Sequence, residues 1–141
     1  MRILVDANIF IDANRRRAGW EKSLGVINLV ERRTVEGFVA ALTTAFVYFD
    51  RLRQHVGERQ SRNAVRRMLR HFTVVPLNNE LIAKALAHPC PEFEDNVQLV
   101  SALEVKADVL ITRNKKHFRQ RQVRVLTPEE FLAEWPRSDS N

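Results

Sequence analysis

Short apolar runs separated by longer stretches of helical periodicity constrain this chain more than any other feature. Residues 3–5 (ILV), 37–42 (GFVAAL, with Gly37 as punctuation), 72–76 (FTVVP), 108–112 (DVLIT) and 123–126 (VRVL) are short and rich in β-branched or aromatic side chains. That combination reads as buried strand rather than helix, with the last run at a sheet edge. Between the runs, apolar residues recur at helical spacing: Leu24, Ile27 and Val30; Phe46, Val47, Phe49 and Leu52; Val65, Met68 and Leu69; Leu81, Ile82, Ala85 and Leu86. Thr43 or Thr44 is the expected cap of the second of these helices, which should end near Gly57, and the fourth should stop at His88-Pro89. A further helix is expected to begin at Glu94 or Asp95. Thr127, Pro128 and Glu130 have the spacing of a capping box with proline at the first helical position.

Strands alternating with helices or helix pairs predict an α/β sandwich around a mostly parallel sheet. With 141 residues, a single domain over residues 1–135 is expected, with residues 136–141 as a flexible tail. A lone cysteine, Cys90, allows no internal disulfide, Asp6 interrupts any signal-peptide core, and no apolar run has the length of a membrane span. The expected location is cytoplasmic, with no membrane partner. A net charge of +6 permits a polyanionic partner such as RNA or DNA.

The first apolar run ends on a carboxylate, Asp6, with Asn8 two positions on. In an open parallel sheet, ligands bind beyond the carboxyl ends of the strands, where strand order reverses. Asp6 ends the first strand, Glu92, Glu94 and Asp95 sit at the start of a helix, and Thr112 and Asn114 follow "DVLI". If the first and fourth strands are neighbours, these groups converge on one crevice. Clustered carboxylates repel one another, and a hard divalent cation, Mg²⁺ or Mn²⁺, relieves that repulsion. Each residue alone has an ordinary alternative. Asp95 or Glu94 suits a helix first turn, Asn8 and Asn114 suit turns, and Thr112 can simply close a strand. Their coincidence at equivalent positions is what points to chemistry. The four histidines lack zinc-ligand spacing, with His117 notable only for following Asn114, and the arginine-rich stretches read first as solvated surface. Aspartyl-phosphate chemistry at Asp6 is a distant third option, because "DANIF" lacks a second Asp two residues on.

Taken together, "ILVDANIFID", "FEDNVQLVSALEVKADVLITRNKKHF" and "VRVLTPEEFL" resemble the PIN domain, in particular the bacterial branch that contains VapC-type toxins. The likeness runs over residues 1 to about 133. It implies a three-layer α/β/α sandwich, a Mg²⁺- or Mn²⁺-dependent endoribonuclease, frequent homodimers and an inhibitory antitoxin partner. By position, the resemblance makes Asp6 and Asp95 metal ligands, adds Glu94 and Asn114 as catalytic assistants, and gives Asn8 and Thr112 supporting roles. Arg113, Lys115 and Lys116 become candidates for holding the RNA backbone. Two departures stand out. Phe46 occupies the place where many members carry a Glu, with Asp50 one turn further on as a doubtful substitute, and Asn114 replaces a frequent Asp. Fewer acids imply weaker metal binding, one ion rather than two, and as an alternative a PIN-fold RNA- or partner-binding module without catalysis. Phe46 would then fill its place as core.

Overall fold

A computed structural model describes residues 1–88, 91–118 and 122–135. Cys90 and the expected tail, residues 136–141, lie outside the described residues. In chain order the elements are β1 (Arg2–Val5), α1 (Ala7–Arg15), α2 (Trp20–Glu31), β2 (Glu36–Ala40), α3 (Ala41–Arg53), α4 (Gly57–His71) and β3 (Phe72–Val75). They continue as α5 (Asn79–Ala87), α6 (Phe93–Glu104), β4 (Val109–Ile111), a 3₁₀ turn (Lys115–His117), β5 (Arg124–Leu126) and α7 (Pro128–Glu134). The five strands form one sheet in the order β3-β2-β1-β4-β5, and every pair is parallel.

Alternation of side chains along β1 divides the core. Ile3 and Val5 join a cluster with Ile9 and Phe10 of α1, Val26 and Val30 of α2, Val47 of α3, Met68 of α4 and Phe131 of α7. Leu4 points into the opposite cluster with Leu81 and Ala85 of α5 and Val97 and Val100 of α6. The result is an α/β/α sandwich, with β1 apolar on both faces because both are covered. Ile3, Leu4 and Val5 are wholly buried, each contributing roughly 2 kcal/mol of apolar transfer free energy.

Three sequence expectations are corrected. α3 begins straight off β2 with Ala40 at the cap position, so Thr43 and Thr44 lie inside the helix. Thr43 is instead buried and accepts a 3.0 Å bond from Gln98 Nε2, tying α3 to α6, and Thr44 Oγ1 donates back to the Ala41 carbonyl. Gly57 does not close α3. His55, in the left-handed region at φ +59°, turns the chain, and Gly57 (φ +87°) opens α4. Gly37 lies within β2 rather than beside it, where a Cβ would come 2.5 Å from Val30 Cγ1 and 2.8 Å from Phe72 Cδ1. Close approach of α2 to the sheet demands glycine there. The C-terminal capping box forms as read: Thr127 Oγ1 accepts from the Glu130 amide, and Glu130 Oε1 accepts from the Thr127 amide.

Candidate metal and catalytic crevice

Register alone brings together residues 106 positions apart. Val5 pairs with Ile111 in the β1–β4 ladder, so the next residues, Asp6 and Thr112, leave the sheet side by side. Their backbones hold that position: the Asp6 amide donates to the Ile111 carbonyl and the Thr112 amide to the Leu126 carbonyl, both at 3.0 Å. The chain winds from β1 outward to β2 and β3, then returns to place β4 and β5 on the other side. The β1–β4 boundary is therefore the switch point, where an open parallel sheet leaves a crevice.

Asp6 takes the cap position of α1, yet its side chain makes no capping bond, although Asp there commonly accepts from the first turn. Asp6 Oδ2 accepts instead from Thr112 Oγ1 at 2.7 Å and from Asn8 Nδ2 at 3.2 Å. Asn8 Nδ2 also donates to Thr112 Oγ1 at 3.3 Å, and the Asn114 amide donates to the same hydroxyl at 3.1 Å. Thr112 is wholly buried and Asp6 is 7% exposed. Burial pushes the Asp6 carboxyl up to about 6, the Thr112 hydroxyl opposes the rise, and the charge of Asp95 adds to it. Asp95, in the first turn of α6, is itself raised above its usual range by burial, drawn back by the His117 imidazole and raised again by Glu94. Asp95 and Asp6 therefore share one electrostatic environment.

The structure brings together Asp6, Asn8, Thr112 and Asp95, and adds His117, whose Nδ1 lies 3.1 Å from Asp95 Oδ2. Sequence reasoning gave His117 no role; the 3₁₀ turn after Asn114 is what returns it to the crevice, and its place three residues beyond Asn114 was the available clue. Glu94 is exposed beside Asp95 and hydrogen-bonds to Glu92, whose pKa is raised by that contact. Asn114 is exposed, and its bonds in the crevice are backbone ones, to Thr112 Oγ1 and from the His117 amide.

Three readings change. Arg113 does not present a free guanidinium to a polyanion, because its donors are engaged by Asp12, Ser23, the Gly19 carbonyl and Glu129. Asp50 is no substitute ligand. It is 4% exposed and held by Arg15 Nη2 at 2.7 Å and Gln54 Nε2 at 2.7 Å. Phe46 is not core either, being 38% exposed on α3. Lys115 pairs with Glu130 at 2.9 Å across an exposed surface, which costs little to break, and Lys116 is exposed.

Among the described residues, no three His, Cys, Asp or Glu side chains converge as a metal-binding group. Two carboxylates and a hydroxyl nevertheless suit a hard divalent cation of the Mg²⁺ type, which keeps several waters and is commonly held by one or two carboxylates. The raised Asp6 is the electrostatic signature of a site that a positive charge would relieve. Among the described residues, no helix is long and apolar enough to cross a membrane.

Comparison with known proteins agrees with this architecture. Solved structures of the same fold include a toxin–antitoxin complex from Klebsiella pneumoniae (22% identity, 89% of this chain and 97% of that one, TM-score 0.68). VapBC-1 from nontypeable Haemophilus influenzae is similar at 19% identity, with 92% and 99% of the two chains covered and a TM-score of 0.66. VapBC2 from Rickettsia felis, bound to a DNA fragment from its promoter, is similar at 12% identity, over 90% and 98% of the chains, with a TM-score of 0.64. No curated protein matches. The family model described as "PIN domain" matches residues 2–116, the span that carries the parallel sheet through β4 and the Asp6–Thr112–Asp95 crevice, and the chain belongs to the PIN domain family.

Proposed function

We propose that this protein is a divalent-metal-dependent endoribonuclease and the toxin component of a toxin–antitoxin pair. The observation that carries the reading is Asp6, a buried carboxylate at the sheet's switch point whose ionisation is opposed by burial and by Asp95. A carboxylate so placed is expensive to keep unless a cation binds there. Asp6 and Asp95 would hold Mg²⁺ or Mn²⁺, which when bound supplies Lewis acidity toward a phosphoryl oxygen and makes water a stronger acid. Thr112 and Asn8 fix the rotamer of Asp6 by donating to the same oxygen, Oδ2. His117 steadies Asp95 through Oδ2. Glu94 and Asn114, exposed at the same end of the sheet, are the groups available to orient water, and Lys116, with Lys115 once released from Glu130, would bear on the phosphate backbone. The antitoxin partner is supported by the resemblance to VapC-type proteins and by a solved structure of the same fold that is a toxin–antitoxin complex. A homodimer in a reducing cytoplasm is the accompanying expectation.

The test is incubation of the purified protein with single-stranded and structured RNA in Mn²⁺ or in EDTA. Cleavage in Mn²⁺, none in EDTA and none by Asp6→Asn is expected; cleavage that persists in EDTA rejects the mechanism. A second reading, a PIN-fold RNA- or partner-binding module without catalysis, is favoured by the exposed Phe46 and the neutral Asn114, which stand where the resemblance implies acids. It predicts salt-dependent RNA binding without a metal requirement or products, and Mn²⁺ binding lost in Asp95→Asn counts against it.

A further inference from the structure

Resting on that metal-site reading of the crevice, we propose that Arg113 is a positioning residue whose guanidinium clamps the loop that shapes both carboxylates. Residues 112–117 touch Asp6 through Thr112 and Asp95 through His117. Thr112 is buried at one end of that stretch, but Asn114, Lys115 and Lys116 in its middle are exposed, a condition under which segments open locally. Beyond the contacts to Asp6 and Asp95 and the exposed Lys115–Glu130 pair, Arg113 is what ties this stretch to the surrounding helices.

Its side chain is 18% exposed and reaches four separate parts of the chain. Nη1 donates to Glu129 of α7 at 2.8 and 3.0 Å, and Nη2 donates to the Gly19 carbonyl at 2.6 Å and to Ser23 Oγ of α2 at 2.9 Å. Nε donates to Ser23 Oγ at 3.1 Å and lies 3.5 Å from Asp12 Oδ2 of α1. The planar fork of arginine satisfies these directions at once, whereas a lysine ammonium would meet only some of them. Gly19 makes room: at φ +83°, its absent Cβ would lie 2.8 Å from Arg113 Nη2 and 2.9 Å from Glu129 Oε1. On its backbone side, the Arg113 amide donates to Asn8 Oδ1 at 3.4 Å, and Asn8 in turn donates to Asp6. One residue thus connects α1, α2 and α7 to the hydrogen bonds that orient the candidate ligand.

The test is amide hydrogen exchange followed by NMR, with Mn²⁺ titration by calorimetry, on the wild-type chain, Arg113→Lys and Glu129→Gln. Glu129→Gln loosens the clamp from α7 without changing any residue of the loop, and it serves if the arginine variant fails to fold. The expected result is exchange about tenfold faster or more at the Arg113 and Asn114 amides, with Leu4 and Leu110 unchanged, and Mn²⁺ affinity about tenfold lower, the scale of lost outer-shell support. Uniform acceleration throughout the sheet, or unchanged loop exchange, overturns the proposal, because the arginine would then serve stability alone or nothing measurable. So does local acceleration with unchanged Mn²⁺ affinity. If the wild-type chain itself binds no Mn²⁺, the metal-site reading falls, and the exchange pattern alone decides whether Arg113 positions the loop.

Discussion

Two buried aspartates near the same helix show how a fold treats a structural charge and a reactive one. Asp50, 4% exposed, is surrounded by opposite charge and amide donors: Arg15 Nη2 at 2.7 Å, Arg15 Nε at 2.9 Å and Gln54 Nε2 at 2.7 Å. Asp6, 7% exposed at the head of α1, receives a hydroxyl and an amide and faces another carboxylate, with the His117 imidazole as the smallest of the influences that oppose its rise. Arg15 stands at the far end of α1, so the helix that Asp6 begins carries its arginine to Asp50. Burial that outweighs the nearby opposite charge raises a carboxylate, and that is the state of Asp6, pushed up to about 6. The contrast separates a group built to hold the fold from one held ready for a cation.

The largest break in that contrast should come from Asp6→Asn. RNA cleavage in Mn²⁺ is expected to fall on the order of 10³-fold, about 4 kcal/mol of barrier, measured as initial rate per folded molecule. An equal loss in Asp50→Asn would erase the distinction.

Next in size is the pH dependence of metal-free stability. Asp6 titrates near 3.8 when unfolded and at about 6 when folded, so its contribution is greatest below 3.8 and is lost as pH rises through about 6. A rise of about two units corresponds to roughly 3 kcal/mol. Relative to Asp6→Asn, the wild-type chain should therefore match in stability near pH 4 and fall behind progressively up to pH 7, in urea titrations with EDTA. Saturating Mn²⁺ should close the gap, by mass action on the folded state. A gap that widens toward acid would mean that Asp6 is held by a positive partner after all.

Asp50→Ala should act on stability alone, by about 2 kcal/mol, since it orphans a partly exposed arginine and a half-buried amide. Cleavage per folded molecule should be unchanged. The smallest effect is expected from Thr112→Val, which keeps the shape and removes the hydroxyl that orients Asp6. A loss of about tenfold in cleavage and in Mn²⁺ affinity is the outer-shell scale. Together these variants sort orientation from charge within one crevice.

The strands were legible because three to five apolar residues in a row have few other places to go. Residues 3–5 and 109–111 are buried throughout, and the edge strand 72–75 is buried at Phe72 and Val75, much as composition demands. α1 escaped reading because Asp12 interrupts its apolar pattern; Asp12 is buried against Arg17 and Arg113, a compensation that only tertiary contacts supply. Thr43 looked like a cap because threonine favours that position, yet it is spent on Gln98 in the core. Within the crevice, Asp6, Asn8, Thr112 and Asp95 were named from chain position, whereas His117 and the engagement of Arg113 were not.

The order of strands and helices, the carboxylates at their ends and the basic balance are written locally, because propensity and periodicity act over a few neighbouring residues. Which arginine is consumed, which aspartate is left facing its own kind and which imidazole swings back to meet it were decided by packing, since only register across β1 and β4 makes residues 106 positions apart adjacent. A charge reports its partners, and partners are a property of the folded chain.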